Sequence, residues 1–291
     1  MLQSSPLRSV LFVPGNRARM LEKARSLPAD ALILDLEDGV PAGEKIAARA
    51  VLRQALAGSP YGPQVILRVN GLATGLTEGD LQETLVDGIQ AVCLPKAETA
   101  ADVTRLAALL DEMEGRPGRP RGPLALFLMI ETAMGVLSAL AMVQASRRVR
   151  ALCLGGEDLA HELGAVRTHT GIEIALARAQ LVLAARAGGA VAVDTIFTDL
   201  ADLDGLLAEA RTARQMGYSG KLIIHPHQIA PVHRAFTPSD HEIAYARRVL
   251  EAFEAAEARG QGVVALDGKM IDAPVVARAR EILAYMEESE S

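Results

Sequence analysis

Short apolar runs separated by longer amphipathic stretches recur along this chain. Residues 10–13, 31–34, 65–69, 91–94, 125–130, 151–154, 190–193 and 222–224 are each dominated by Val, Ile, Leu or Ala. Continuous apolar runs of this length, rather than alternating ones, fit strands covered on both faces, as in a parallel sheet. The segments between them read as helices, with helical spacing or strong helix formers over 16–26, 41–56, 99–114, 170–187 and 202–216. Eight strand and helix repeats within 291 residues predict an α/β fold of the (β/α)8 TIM barrel kind rather than an open doubly wound sheet. No GxGxxG follows the first strand, and no P-loop or GxSxG occurs in the chain.

The pattern changes after the eighth run. Ile243, Ala246, Leu250 and Phe253 predict one amphipathic helix over 239–258, and Val275, Ala279, Ile282, Leu283 and Met286 another over 274–286. Between them lies a glycine-flanked, polar stretch. The expected organisation is a barrel over residues 1–235 and a C-terminal helical lid or arm over 236–291, contacting a neighbouring subunit. The segment 115–123 (GRPGRPRGP) reads as a solvated connector, and the tail over 287–291 as frayed.

Composition narrows the partners. With 30 basic and 36 acidic side chains the net charge is −6, and no block of Lys and Arg appears. Aromatic residues make up only 3%, with no Trp. Neither nucleic acid nor an anionic membrane is expected as a partner, because both call for clustered cations and the first for stacking platforms. Cys93 and Cys153 sit inside apolar runs and read as small buried hydrophobes rather than a disulfide or zinc site. The apolar run before Pro14 is too short for a signal peptide core or a membrane span, so the expected compartment is the cytoplasm.

The C-terminal ends of barrel strands form the active face of such folds, and here each apolar run opens into polar residues. They include Pro14-Gly15-Asn16-Arg17, Asp35-Leu36-Glu37-Asp38, Arg68-Val69-Asn70, Pro95-Lys96, Glu131-Thr132, Gly155-Gly156-Glu157-Asp158, Asp194-Thr195 and His225-Pro226. Glu131 and Asp158 close adjacent strands, which lie about 4.8 Å apart, so the two carboxylates can share one cation. Two carboxylates with positions left for water and substrate oxygens suit Mg2+, and Glu37 and Asp38 can hydrogen-bond the metal's waters. The alternatives are a buried ion pair from Glu131 to Arg68 and helix capping by Asp158.

Gly156, Glu157 and Asp158 open a helix whose amides can bind a substrate carboxylate. Arg17, Arg68 and Lys96 place fixed positive charge on the same rim, where they either grip an anionic substrate or pair with Asp35, Glu37 or Asp38. No His pair has metal-binding spacing; His225, at the end of the eighth run, is the only one well placed for a ligand contact, with packing as the alternative.

These motifs, from residues 9–17 through 34–40, 68–70, 94–96, 130–133, 155–159 and 224–226 to 267–272, together resemble the citrate lyase beta subunit and malyl-CoA lyase family of the HpcH/HpaI aldolase superfamily. The resemblance runs in order over residues 8 to 286. It implies a TIM barrel with a C-terminal lid reaching a neighbouring subunit, commonly in a homotrimer. It also implies Mg2+-dependent Claisen-type carbon–carbon cleavage of 3-hydroxy-3-carboxyacyl thioesters of malyl, citramalyl or citryl type, carried on CoA or an acyl carrier protein. By the same likeness Glu131 and Asp158 match the metal ligands, Arg68 the substrate-contacting arginine and Asp272 a lid aspartate acting as acid or base. Asp272, followed by Ala273 and Pro274, is equally a helix N-cap signal. Three other functions stand beside a stand-alone lyase: the citryl-carrier lyase subunit of a citrate lyase complex, a malyl-CoA-type thioesterase, and a non-catalytic assembly subunit.

Overall fold

The structure, a computed structural model, describes residues 7–114, 120 and 122–289. Most of the connector expected over 115–123, the last two residues of the tail and the first six residues of the N-terminal segment lie outside the described residues. The chain divides into two compact units, one ending at Phe236 and one beginning at Thr237.

The first unit is a closed barrel of eight strands in chain order. They are β1 (Ser9–Pro14), β2 (Ala31–Asp35), β3 (Gln64–Arg68), β4 (Ala91–Leu94), β5 (Ala125–Ile130), β6 (Val149–Leu154), β7 (Val191–Asp194) and β8 (Gly220–Ile223). All pairs are parallel, and β8 closes onto β1 through Val10 opposite Leu222. The helices are α1 (Ala18–Ala24), α2 (Lys45–Leu56), α3 (Thr77–Thr84), α4 (Ala100–Met113), α5 (Ala133–Ala145), α6 (Gly156–Glu162), α7 (Ala175–Gly188), α8 (Leu203–Met216) and α9 (Ile229–Phe236). The five helical segments singled out in the sequence correspond to α1, α2, α4, α7 and α8. Of the others, α3, α6 and α9 are too short for a period to stand out, and α5 (AMGVLSALAMVQA) is apolar nearly all round, so no polar face marks its period.

Strand side chains alternate between two cores. Ile33, Ile66, Met129, Cys153, Val193 and Leu222 fill the barrel interior, whereas Leu32, Leu34, Leu67, Leu128, Leu152 and Ile223 face the helix layer. Phe127 is the one aromatic among the buried interior residues, which accounts for the aromatic-poor composition: layers of aliphatic side chains suffice to fill a barrel of this size. Cys93 and Cys153 are free and buried there, and burial pushes both thiols well above their usual range.

This alternation corrects one expectation. Val193 points inward, so Asp194, the next residue, turns outward into the helix layer rather than onto the active face. There it accepts from Nε and Nη2 of Arg178 on α7 at 3.0 and 2.9 Å and from Nζ of Lys221 on β8 at 2.8 Å, and Lys221 also pairs with Glu209 of α8. Burial opposes the charge on Asp194, but Lys221 and Arg178 outweigh it and hold the carboxyl below its ordinary value. The group is a structural tie between β7, β8 and their helices.

The second unit holds α10 (Asp240–Glu257), β9 (Val264–Leu266), β10 (Lys269–Ile271) and α11 (Ala273–Ser289). Ala246, Val249, Phe253, Ile271, Val276 and Ala279 form its core. The stretch read as a polar connection is an antiparallel hairpin. Asp267 and Gly268 form its two-residue loop with φ of 50° and 75°, the left-handed pair that such a turn requires. Among the described residues no helix is long and apolar enough to cross a membrane.

Candidate active site

Because strand side chains repeat every two residues, the residues two beyond the interior layer form the next layer up. Those residues are Pro14, Asp35, Arg68, Pro95, Glu131, Gly155, Thr195 and Ile224, and all but Pro95 line a cavity of about 330 Å3 at the C-terminal mouth of the barrel. Asp38, Glu157 and Asp158 line it from the loops and from α6. The strand ends thus converge as expected for six of the candidate residues: Arg68, Glu131, Asp38, Gly156, Glu157 and Asp158.

Asp35 and Arg68 are partners in the β2–β3 register. Nε and Nη2 of Arg68 each donate to Asp35 at 2.7 Å, a two-pronged fork. Asp35 also accepts the amides of Glu37 and Gly39, both at 2.8 Å, so its carboxylate sets the turn after β2. A Cβ at Gly39 would come within 2.4 Å of Asp35 Oδ2, which is why a side chain cannot stand there. Only Nη1 of Arg68 is left facing the cavity, 3.1 Å from Glu37 and 4.0 Å from Glu131. Asp35 was visible in the sequence only as a possible partner of an arginine. Its part as the residue that aims Arg68 follows from the register.

Glu131 is 3% exposed. One oxygen accepts the backbone amide of Lys96 at 2.9 Å. Burial raises its pKa to about 7; Arg68 pulls it down, while Glu37 and Asp158 push it further up. Asp158 lies in the first turn of α6, exposed and with no side-chain capping bond, so the capping alternative does not hold. The cavity is rich in carboxylates, yet most are already matched: Asp35 with Arg68, Glu157 with Arg167 at 2.7 Å and Asp38 with Lys96 at 3.5 Å. Glu131 has only Arg68 at 4.0 Å, and Asp158 has no ion pair among the described residues. Two undercompensated carboxylates, one directly after β5 and one in the first turn of the helix that follows the adjacent β6, are a donor set that fits a hard divalent cation.

Gly155 and Gly156 make this proximity possible. A Cβ on Gly155 would lie 2.3 Å from Cγ of Glu131, and one on Gly156 would lie 2.6 Å from Oγ1 of Thr195. The Gly156 amide donates to that hydroxyl at 2.9 Å. It is therefore committed to Thr195 rather than free for a substrate carboxylate, a correction to its expected role. Thr195 itself, buried and lining the cavity, was not among the candidates. A polar residue two beyond the interior Val193 is the signal that marks it.

Three other expectations change. Lys96 does not line the cavity: its Nζ is 2.8 Å from Glu37, and Glu37 and Asp38 raise its pKa against the effect of burial. Its φ of 49° is unusual for a residue other than glycine, and its backbone amide and Nζ are anchored on Glu131 and Glu37 respectively. Glu37 likewise does not line the cavity; it sits between Arg68 and Lys96, and burial raises its pKa despite both cations. Asp38 is thus the member of that pair that faces the cavity. Its pKa is lowered, burial being outweighed by its hydrogen bond with Glu37 and by Lys96. Arg17 is exposed at the start of α1 and is not part of the lining.

His225 is exposed, and its Nδ1 accepts the His227 amide in a short helical turn. In the second unit Asp272 caps α11, its Oδ1 accepting the Val275 amide at 3.4 Å and its carbonyl the Val276 amide at 3.0 Å.

Residues 8–226 match the family described as HpcH/HpaI aldolase/citrate lyase. The chain is 40% identical over 283 residues to the citrate lyase subunit beta of Escherichia coli K12, covering 97% of this chain and 94% of that one. It is 40% identical over 286 residues to the (3S)-malyl-CoA thioesterase of Cereibacter sphaeroides, covering 98% and 96%. Among solved structures, the protein CitE from Mycobacterium tuberculosis in complex with magnesium, acetoacetate and coenzyme A superposes with a TM-score of 0.80 at 34% identity, over 97% of this chain and 98% of that one.

Proposed function

The chain belongs to the HpcH/HpaI aldolase/citrate lyase family, and on that premise we propose that it is a Mg2+-dependent carbon–carbon lyase. Its substrate is a 3-hydroxy-3-carboxyacyl thioester, which it cleaves into an acyl thioester and an α-keto acid. The observation that carries this reading is the pair Glu131 and Asp158, undercompensated at the ends following the adjacent strands β5 and β6, beside a buried, pre-aimed Arg68.

Glu131 and Asp158 would hold the metal. When bound, Mg2+ supplies the Lewis acidity that lowers the pKa of the 3-hydroxyl and chelates the keto acid. The 3-hydroxyl gives its proton to water in the cavity, and its oxygen closes to the keto C=O as the C2–C3 bond breaks. That electron pair moves onto the thioester carbonyl, where charge grows on the oxygen. Arg68 meets it through Nη1, since Nε and Nη2 stay on Asp35; a donor fixed in advance stabilises the developing charge without reorganising. The amides of Glu157 and Asp158, in the unpaired first turn of α6, remain for the substrate carboxylate. Asp38 faces the cavity where water bound to the metal is to be held.

The proton that completes the acyl thioester at C2 comes from Asp272, presented by the second unit of a neighbouring copy as a lid. Support for this role comes from the motif over 267–272 and from its place at the tip between hairpin and helix. Asparagine preserves the cap, so Asp272→Asn is expected to lower kcat by about 10²-fold or more with no change in Tm or in Mg2+ affinity. Near-normal kcat would leave Asp272 a cap alone.

Self-association has its own support: α5 and α7 pack side by side and turn Met134, Leu137, Leu176 and Leu183 outward at 55 to 74% exposure. Apolar clusters of this kind mark contact surfaces more often than monomer surface, and a homotrimer is the assembly we propose. Two free thiols accord with the reducing cytoplasm as its compartment. The thiol carrier is CoA or an acyl carrier protein.

The metal assignment predicts a pH dependence. With the Glu131 pKa at about 7 in the folded state against 4.5, the folded protein retains a proton that the unfolded chain has lost between these values. Stability therefore falls as pH rises through that window, by about 3 kcal/mol in all. Magnesium needs the ionised form, so the Tm increment it gives should be larger at about pH 8 than at about pH 6. Equal increments in a thermal-shift titration would remove Glu131 from the ligand set.

A further inference from the structure

Lys96 stands outside the cavity lining, yet its two ends reach both groups on which the proposed chemistry depends. It follows Pro95 after β4 with a φ of 49°, a conformation that a Cβ disfavours and that glycine adopts freely. Its backbone amide donates to Oε2 of Glu131 at 2.9 Å. Its Nζ donates to Oε1 of Glu37 at 2.8 Å and lies 3.5 Å from Oδ2 of Asp38. A glycine would hold the amide in the same place without strain, so the side chain is what a lysine adds here.

Glu37 is buried and divided between two cations. Oε1 faces Nζ of Lys96, while Oε2 accepts the Asp38 amide at 2.8 Å and lies 3.1 Å from Nη1 of Arg68. Nη1 is the nitrogen that is to meet the developing oxyanion, since Nε and Nη2 hold Asp35. Without Lys96, Arg68 would be the only cation against Glu37, and attraction between buried charges is strong. The donor would then be drawn onto the protein's own carboxylate, and the thioester oxygen would have to compete for it. With Nζ in place, the charge of Glu37 is met from both sides.

An exposed ion pair usually contributes little, and the Lys96 side chain is 48% exposed. Its partner differs: the Glu37 side chain is only 7% exposed, so the charge being balanced is a buried one. Resting on the lyase reading above, we infer that Lys96 is a positioning residue whose Nζ takes up the charge of Glu37, so that Nη1 of Arg68 stays available to the thioester oxygen.

The test uses Lys96→Gly, Lys96→Arg and the double variant Lys96→Gly with Glu37→Gln. Turnover of malyl- and citramalyl-CoA is followed at about pH 8, well above the ordinary carboxylate range. Glycine keeps the left-handed backbone and the amide on Glu131, so the rise in Tm given by Mg2+ should match that of the wild type. In Lys96→Gly kcat is expected to fall about tenfold, less than the loss of an oxyanion donor outright, with KM within about twofold. Lys96→Arg keeps the charge and should restore kcat. Adding Glu37→Gln to Lys96→Gly removes the charge that Lys96 balances, and should bring kcat back to within about threefold of wild type. A purely structural role predicts no such recovery, because a second lost contact does not repair the first. Unchanged kcat in Lys96→Gly, a rise in KM alone, or no recovery in the double variant overturns the inference and leaves the lyase reading standing. Loss of the Mg2+ effect on Tm in Lys96→Gly also overturns it, since the side chain would then serve Glu131 rather than Glu37. Cleavage of neither thioester by the wild type removes the lyase reading, and the inference with it.

Discussion

Glu131→Ala is expected to reduce lyase turnover to background at every Mg2+ concentration while leaving the barrel folded. The carboxylate sits 3% exposed between Arg68 and the Lys96 amide, and no other acid on β5 can replace it. Its removal deletes one of the two groups proposed to hold the cation, so the Mg2+-induced rise in Tm should vanish together with activity. Stability of the metal-free protein should hold or rise at about pH 8, because a buried carboxylate whose pKa is raised to about 7 is ionised there against the preference of its surroundings. Glu131→Gln keeps the volume and an acceptor for Lys96 but not the charge, and should behave like the alanine variant toward Mg2+. Mg2+-stimulated turnover in either variant would contradict the ligand assignment.

Arg68→Met should strike both stability and catalysis. Methionine leaves Asp35 with two backbone amides but no cation, and leaves Glu37 with Lys96 alone. Removing one partner from a buried ion pair costs about 3–5 kcal/mol, and in a domain of this size that lowers Tm by about 10 °C. Turnover should be lost as well, since Nη1 is the one donor proposed for the developing oxyanion. Arg68→Lys keeps the charge but cannot form the fork, so it should recover part of the Tm and little of the turnover. The double change Asp35→Leu with Arg68→Met removes both charges, and recovery of stability without activity would separate the two roles. Wild-type kcat in Arg68→Lys would show that the fork to Asp35 has no catalytic consequence.

The barrel was legible because its strands are continuous apolar runs, but the same continuity hides which residues face in. Asp35 and Asp194 look alike in the sequence, each an aspartate closing an apolar run. The first stands two residues beyond the interior Ile33 and aims Arg68; the second stands one residue beyond the interior Val193 and anchors α7 to β8. An alternating strand would have revealed its phase, whereas a strand buried on both faces does not. The acid pair Glu131 and Asp158 could be read because adjacent strand ends are close whatever the register. Lys96 and Arg17 could not, because whether a rim cation serves substrate or a neighbouring carboxylate depends on side-chain reach. The hairpin of β9 and β10 escaped because its strands are three residues each, though the Asp267-Gly268 turn was its local mark.

The central claim, carbon–carbon cleavage rather than thioester hydrolysis, is tested most directly by following both products from malyl- or citramalyl-CoA incubated with purified protein and Mg2+. The account predicts α-keto acid and acyl-CoA in equal amounts, with no free thiol. Free thiol released with intact hydroxy acid and no keto acid would contradict it.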